Sequence, residues 1–199
     1  MKTSIKSIIA IALTALTLTT ASASNKVTVL KEVKNFNALN VSGNVEIILV
    51  QSNEEKVQVY NNYYENNALV QTKDGVLNIS SYDDETLTVV VNFKKLSKIT
   101  ASDDASISNI GKISALGLDI NLKNNSKAAL NLNTIELSTK MNGNSVLYLE
   151  GSSLNYRSSV QNLASINLNK FDSESISFSS KNTRYASILD ENDLQNLGK

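Results

Sequence analysis

From about residue 97 the chain alternates apolar and polar side chains in short runs, and the runs recur at a fixed distance. Ile99, Leu118, Leu137, Tyr156 and Ile176 stand 19, 19, 19 and 20 residues apart. Two positions after them come Ala101, Ile120, Thr139, Ser158 and Phe178, with Thr100, Asp119, Ser138, Arg157 and Ser177 in between. Alternation of period two marks a strand with one buried face. Six positions after the last four anchors stand Asn124, Gly143, Asn162 and Asn182, residue types that accept a left-handed backbone and so predict a turn. Beyond each turn a second alternating strand follows, carrying Ala128 and Leu130, Leu147 and Leu149, Ile166 and Leu168, or Ala186 and Ile188. In the Ile99 repeat the turn is about two residues shorter, with Ala105 and Ile107 in the equivalent role.

A hairpin sandwich also consists of short strands between turns. It has no reason to hold turn asparagines in phase over five repeats, whereas a stack of coils does. The pattern therefore predicts an all-β fold, a right-handed parallel β-helix (β-solenoid) with coils of about 19 residues. Each inward Leu or Ile would sit on the coil below, its burial worth about 1.5–3 kcal/mol. Regular repeats are expected over 96–189. Strand-like runs at Val45–Val50, Val57–Tyr60, Ala68–Thr72, Val76–Ser80 and Leu87–Phe93 are read as less regular first coils and cap within 24–95. Asp74-Gly75 is a hairpin-type turn pair ahead of the fourth run. Residues 190–199, with Leu194 and Leu197, read together with Leu189 as a cap or tail over the last coil. No Gly, Ser or Pro linker divides the chain, so 24–199 is expected to be a single domain.

The start has a different logic. Lys2 and Lys6 precede an apolar stretch from Ile8 to Leu18 and the small residues Ala21-Ser22-Ala23, the arrangement of a secretory signal peptide over 1–23. Threonines interrupt the stretch, which is shorter than the roughly 20 apolar residues a membrane-spanning helix needs. No transmembrane segment is expected in the mature chain. An exported protein follows, periplasmic, secreted or on the outer surface. The sequence holds 19 basic and 19 acidic residues, and loss of the two leader lysines leaves 17 against 19. That balance gives no electrostatic footprint for nucleic acid.

Phe36-Asn37-Ala38-Leu39-Asn40-Val41-Ser42-Gly43-Asn44-Val45-Glu46-Ile47, Val57-Gln58-Val59, Asp74-Gly75-Val76-Leu77-Asn78-Ile79 and Leu96-Ser97-Lys98-Ile99-Thr100-Ala101-Ser102 follow one another in an order that resembles the head GIN domain family, named as auto-transporter adhesin heads. The resemblance covers about residues 33–189. It implies a bacterial envelope or secreted protein built as a β-helix, and it brings no catalytic residues. Family members commonly carry Gly-Ser-Gly turns; here Asn124-Asn125, Asn142-Gly143-Asn144 and Asn162 take most of those places.

The chemistry the residues can support is narrow. With no His and no Cys in the sequence, Ser-His-Asp and Cys-His nucleophile systems cannot be assembled, nor zinc sites built on those ligands. β-Helices host polysaccharide lyases and hydrolases, an analogy of fold only. The carboxylates available, Asp103-Asp104, Asp83-Asp84-Glu85 and Asp119, are mostly sequence neighbours, which point to opposite faces of a strand or sit hydrated in turns. No catalytic residue and no cofactor are expected. Calcium is the one ion the side chains would suit, with Asp103-Asp104 near Asn124-Asn125 on successive coils, but no calcium-loop spacing is present. A glycan would use exposed aromatic rings. Tyr63 and Tyr64, beside Tyr60 and near Tyr82, form the densest aromatic group, although a loop packing its own tyrosines on the first coil is the simpler explanation. Tyr148 falls at an outward phase between Leu147 and Leu149. The leading expectation is a non-enzymatic module that binds a glycan or an envelope protein through Tyr63, Tyr64 or Tyr148. A carbohydrate-active enzyme and a structural spacer are the alternatives.

Overall fold

The computed structural model describes residues 27–60, 68–81 and 83–181. The leader over 1–23, Tyr63, Tyr64, Tyr82, Asn182, the inward pair Ala186 and Ile188, and the tail leucines Leu189, Leu194 and Leu197 lie outside them.

The described residues are all-β, with no helix among them, and form one curled mixed sheet of thirteen strands. These are β1 (Thr28–Leu30), β2 (Ala38–Gly43), β3 (Val45–Gln51), β4 (Lys56–Tyr60), β5 (Ala68–Lys73), β6 (Val76–Ser81) and β7 (Leu87–Phe93). The second half holds β8 (Lys98–Ser102), β9 (Ser106–Ile110), β10 (Ile113–Leu122), β11 (Lys127–Met141), β12 (Val146–Gln161) and β13 (Ser165–Lys181).

From β10 onward successive strands pair in parallel. Leu118 lies beside Leu137 and Leu137 beside Tyr156, an offset of 19 residues. Between β12 and β13 the register shifts after Tyr148, so Tyr156 lies beside Ile176, an offset of 20. Each long strand bends once. Along β11 the buried positions run Ala128, Leu130, Leu132, Thr134 and then Leu137, Thr139, Met141, so Ile135 and Glu136 both face outward. Two consecutive outward residues reverse the parity, and that bend is a corner separating two flanks of every rung. The flank after the turn carries Ala128, Leu147 and Ile166 inward; the flank before it carries Ile120, Leu122 and Met141. All of these side chains belong to one hydrophobic cluster.

The turn between flanks uses the residues expected to turn left-handed: φ is 58° at Asn124, 76° at Gly143 and 60° at Asn162, and Asp103 at 61° holds the same place one rung earlier. Side-chain amides bond along this column. Asn124 donates to the Asp103 carboxylate (2.7 Å), Asn125 to Asp104 (3.3 Å), Asn144 to Asn125 (3.2 Å), and Asn162 to Asn142. Beneath it Ser126 and Ser145 are buried, small enough to let the two flanks close.

Three expectations need correction. Ile99 lies beside Ile120, an offset of 21 rather than 19, because the chain takes two more residues to return through Ile110 to Ile113. The shift is even, so the inward face is preserved. Ile176, expected inward, is 53% exposed: it stands on β13, the last described rung, where no further described strand covers it. The N-terminal strands also do not stack in chain order. β2 and β3 lie between the β6–β7 rung and the β8–β9 rung, so Leu39 packs between Leu77 and Ile99. β5 and β6 are antiparallel across the two-residue turn Asp74-Gly75, both at positive φ, and β1 and β4 are antiparallel outside β7. A two-residue link permits only antiparallel pairing. These short strands close the N-terminal side of the stack.

Candidate functional site

Alternation decides what the flanks show to solvent. On the flank after the turn, outward columns run Ala129, Tyr148, Asn167 and, nearer the corner, Asn133, Ser152, Asp172. Tyr148 is 52% exposed. Between these columns Lys170 donates to Glu150 at 2.9 Å, an exposed pair that orders the surface and adds little stability. At about 3.3 Å per residue, the Tyr148 and Ser152 backbones lie roughly 13 Å apart along β12.

At the corner a groove of about 500 Å³ opens beside Leu154, lined by Asn133, Ser152, Asp172 and Glu174 among others. Its floor is held from rung to rung. Ser153 donates to the Ile135 and Asn155 carbonyls, and Ser173 to those of Leu154 and Ser175. Thr134 lines the same groove with its hydroxyl buried and without a partner among the described residues. Asn133 and Ser152 touch at 3.4 Å, leaving the Asn133 amide hydrogens and the Asp172 carboxylate turned to solvent among the described residues.

The other flank carries charged residues as well. Its outward columns, Asp119, Ser138, Arg157, Ser177 and Asn121, Lys140, Ser159, Ser179, are the ones alternation predicts. Glu136 links them to the corner, accepting from Asn155 (2.8 Å) and facing Arg157 at 3.4 Å.

Inside, Tyr156 is buried against Phe171, ring centroids 5.5 Å apart and nearly perpendicular. Thr139 donates to Ser158 at 2.8 Å, so the Tyr156 hydroxyl, 2.9 Å from Thr139, donates to it in turn. Burial pushes the Tyr156 phenol above its ordinary value. The group is structural, being far from solvent.

Of the residues singled out in the sequence, Tyr148 lies on this surface, while Tyr63 and Tyr64 lie outside the described residues. Asp103 and Asp104 each accept an amide hydrogen from the next rung, and among the described residues no group of three or more His, Cys, Asp or Glu is placed to hold a metal. Sequence reasoning missed Leu116, Ile135 and Leu154, which are 79%, 46% and 41% exposed at the corner. Their equal spacing was visible. Each stands two residues before an inward anchor, so plain alternation sends it inward, and only the doubled outward position at the corner turns it out.

No curated protein matches the chain. Several solved structures share its fold. Three of them are a "putative lipid binding protein" from Parabacteroides distasonis (TM-score 0.59, 11% identity, covering 80% of this chain and 79% of that one), a "putative adhesin" from Parabacteroides merdae (0.59, 16%, 80% and 78%), and a "putative adhesin" from Parabacteroides distasonis (0.57, 18%, 79% of each). The family model described as "Putative auto-transporter adhesin, head GIN domain" matches residues 35–194, and the chain belongs to that family.

Proposed function

We propose that this protein is an exported, non-enzymatic binding module of the cell envelope, and that its ligand is a glycan held on the outward face of the flank carrying Tyr148. The leader-like residues 1–23 and the adhesin names within the fold group support export and binding. We read the parallel stack from β10 to β13 as the right-handed β-solenoid the repeat predicts, right-handed being the rule for parallel crossovers. Such a stack holds surface groups in a fixed array.

One observation carries the reading: an exposed aromatic ring shares a rigid face with hydrogen-bonding groups that line an open groove. Tyr148 offers an apolar plate to the C–H face of a sugar, and Asn133, Ser152 and Asp172 offer donors and acceptors to its hydroxyls. Calorimetric titration of the purified protein against a glycan panel tests it. Tyr148→Ala weakens binding about tenfold, or about 1.4 kcal/mol, and Tyr148→Phe retains most of it. Absence of binding to every glycan, or equal binding by Tyr148→Ala, sinks the proposal. Release of cleavage products from a bound glycan sinks its non-enzymatic part.

A further inference from the structure

Leu116, Ile135 and Leu154 stand on adjacent rungs, since the residues flanking each of them pair: Ala115 with Thr134, Gly117 with Glu136, and Thr134 with Ser153. With strands about 4.8 Å apart, they make an exposed aliphatic ladder about 10 Å long, with Ile135 at its centre. The ends of the ladder carry opposite charge. On the rung before Leu116, Gln51 donates to both the Lys94 and the Ser114 carbonyls and accepts from the Ser114 amide, so the exposed Lys94-Lys95 pair sits beside the Ser114–Leu116 corner. On the rung after Leu154, Asp172 pairs with Ser152, and Glu174 continues the ladder column between Ser173 and Ser175. Among the described residues the ion pairs are Arg157 with Glu136 and Lys170 with Glu150, which leaves Lys94, Lys95, Asp172 and Glu174 unpaired there.

We infer that this corner is an interface between two copies of the chain, related by a two-fold axis that crosses the ladder at Ile135. A two-fold contact is isologous, so the patch has to be complementary to itself. Turned end for end, Leu116 meets Leu154 of the second copy and Ile135 meets its own equivalent. The same rotation sets Lys94 against Asp172 and Lys95 against Glu174, twice over. The side-by-side alternative places lysine on lysine and carboxylate on carboxylate, and charge excludes it. Three aliphatic side chains and a charged rim fall below the area of a standard stable interface, so the dimer is weak and sensitive to salt. The interface shares Asp172 and the groove beside Leu154 with the glycan reading but does not rest on it, because self-association is measured with no glycan present.

Sedimentation equilibrium of the purified protein, from micromolar to submillimolar concentration, is the test. The protein is expected to self-associate to a dimer, more weakly as salt rises. Ile135→Glu sets two carboxylates together at the axis and raises the dissociation constant at least about tenfold with the circular-dichroism spectrum unchanged. Lys94→Glu with Lys95→Glu, and separately Asp172→Lys with Glu174→Lys, each abolish self-association. An equimolar mixture of those two variants dimerises again, because every facing pair is once more of opposite sign. A protein that stays monomeric throughout, a dimer indifferent to Ile135→Glu, or a mixture that remains monomeric overturns the inference.

Discussion

Gly151→Ala tests the rung geometry most severely. Gly151 lies within β12, beside Leu132 on β11 and Phe171 on β13, with φ at +102°. A side chain at such a φ is strained by about 1–2 kcal/mol. A Cβ there also falls 1.9 Å from the Leu132 carbonyl oxygen and 3.0 Å from its carbon. The obstacle is backbone, so relief requires moving one rung against the next, an overpacking cost of about 1–3 kcal/mol. Together the substitution destabilises by about 2–5 kcal/mol, against a total of about 5–15 kcal/mol for a domain. The control is Gly117→Ala, at the corner on β10, two strands away across β11. Its Cβ meets nothing within 4 Å and its φ is not positive, so the change stays within about 0.5 kcal/mol. Urea unfolding followed by circular dichroism reads both. With a slope of about 2 kcal/mol per molar, the Gly151→Ala midpoint falls by about 1–2.5 M while that of Gly117→Ala barely moves. Coincident midpoints would refute the close approach of β11 and β12 at this point.

Two further outcomes follow from the same geometry. Leu137→Ala, inward at 2% exposure, costs about 2–5 kcal/mol, whereas Ile135→Ser, two residues earlier and outward, stays within about 0.5 kcal/mol; equal losses in urea unfolding would dismiss the corner. Tyr156→Phe removes the hydroxyl that donates to Thr139 and lowers stability at neutral pH by about 0.5–1.5 kcal/mol. The native state raises the Tyr156 pKa above 10.0 and so favours the neutral phenol; its contribution is full below pH 10.0 and is lost as pH climbs through the raised folded value. The gap between wild type and Tyr156→Phe therefore narrows as pH rises past 10, and a gap that widens in alkaline denaturation curves contradicts the assignment.

Much of the architecture was legible because it is local and repeated. Strand alternation at Leu137–Met141, the left-handed turn at Asn124, Gly143 and Asn162, and the hairpin at Asp74-Gly75 each rest on what a few neighbouring residues can adopt. The outward column Asp119, Ser138, Arg157, Ser177 follows from the same period. Tyr148 was legible as outward for that reason.

Other features were settled only when strands met. Which rung lies beside which is a matter of non-local pairing: nothing near Val41 says that Ile79 and Ala101 will be its neighbours, thirty-eight and sixty residues away. The corner reverses parity at Ile135 and Glu136, and a period-two reading has no means of seeing a doubled outward position. That single bend turns Leu116, Ile135 and Leu154, which plain alternation would send inward, into an exposed ladder. Sequence by itself determined the strands, their period and their turns, since those are properties of short stretches of backbone. The order of the rungs, and the side chains they leave on the surface, belonged to the tertiary structure, because both depend on which distant segments share hydrogen bonds.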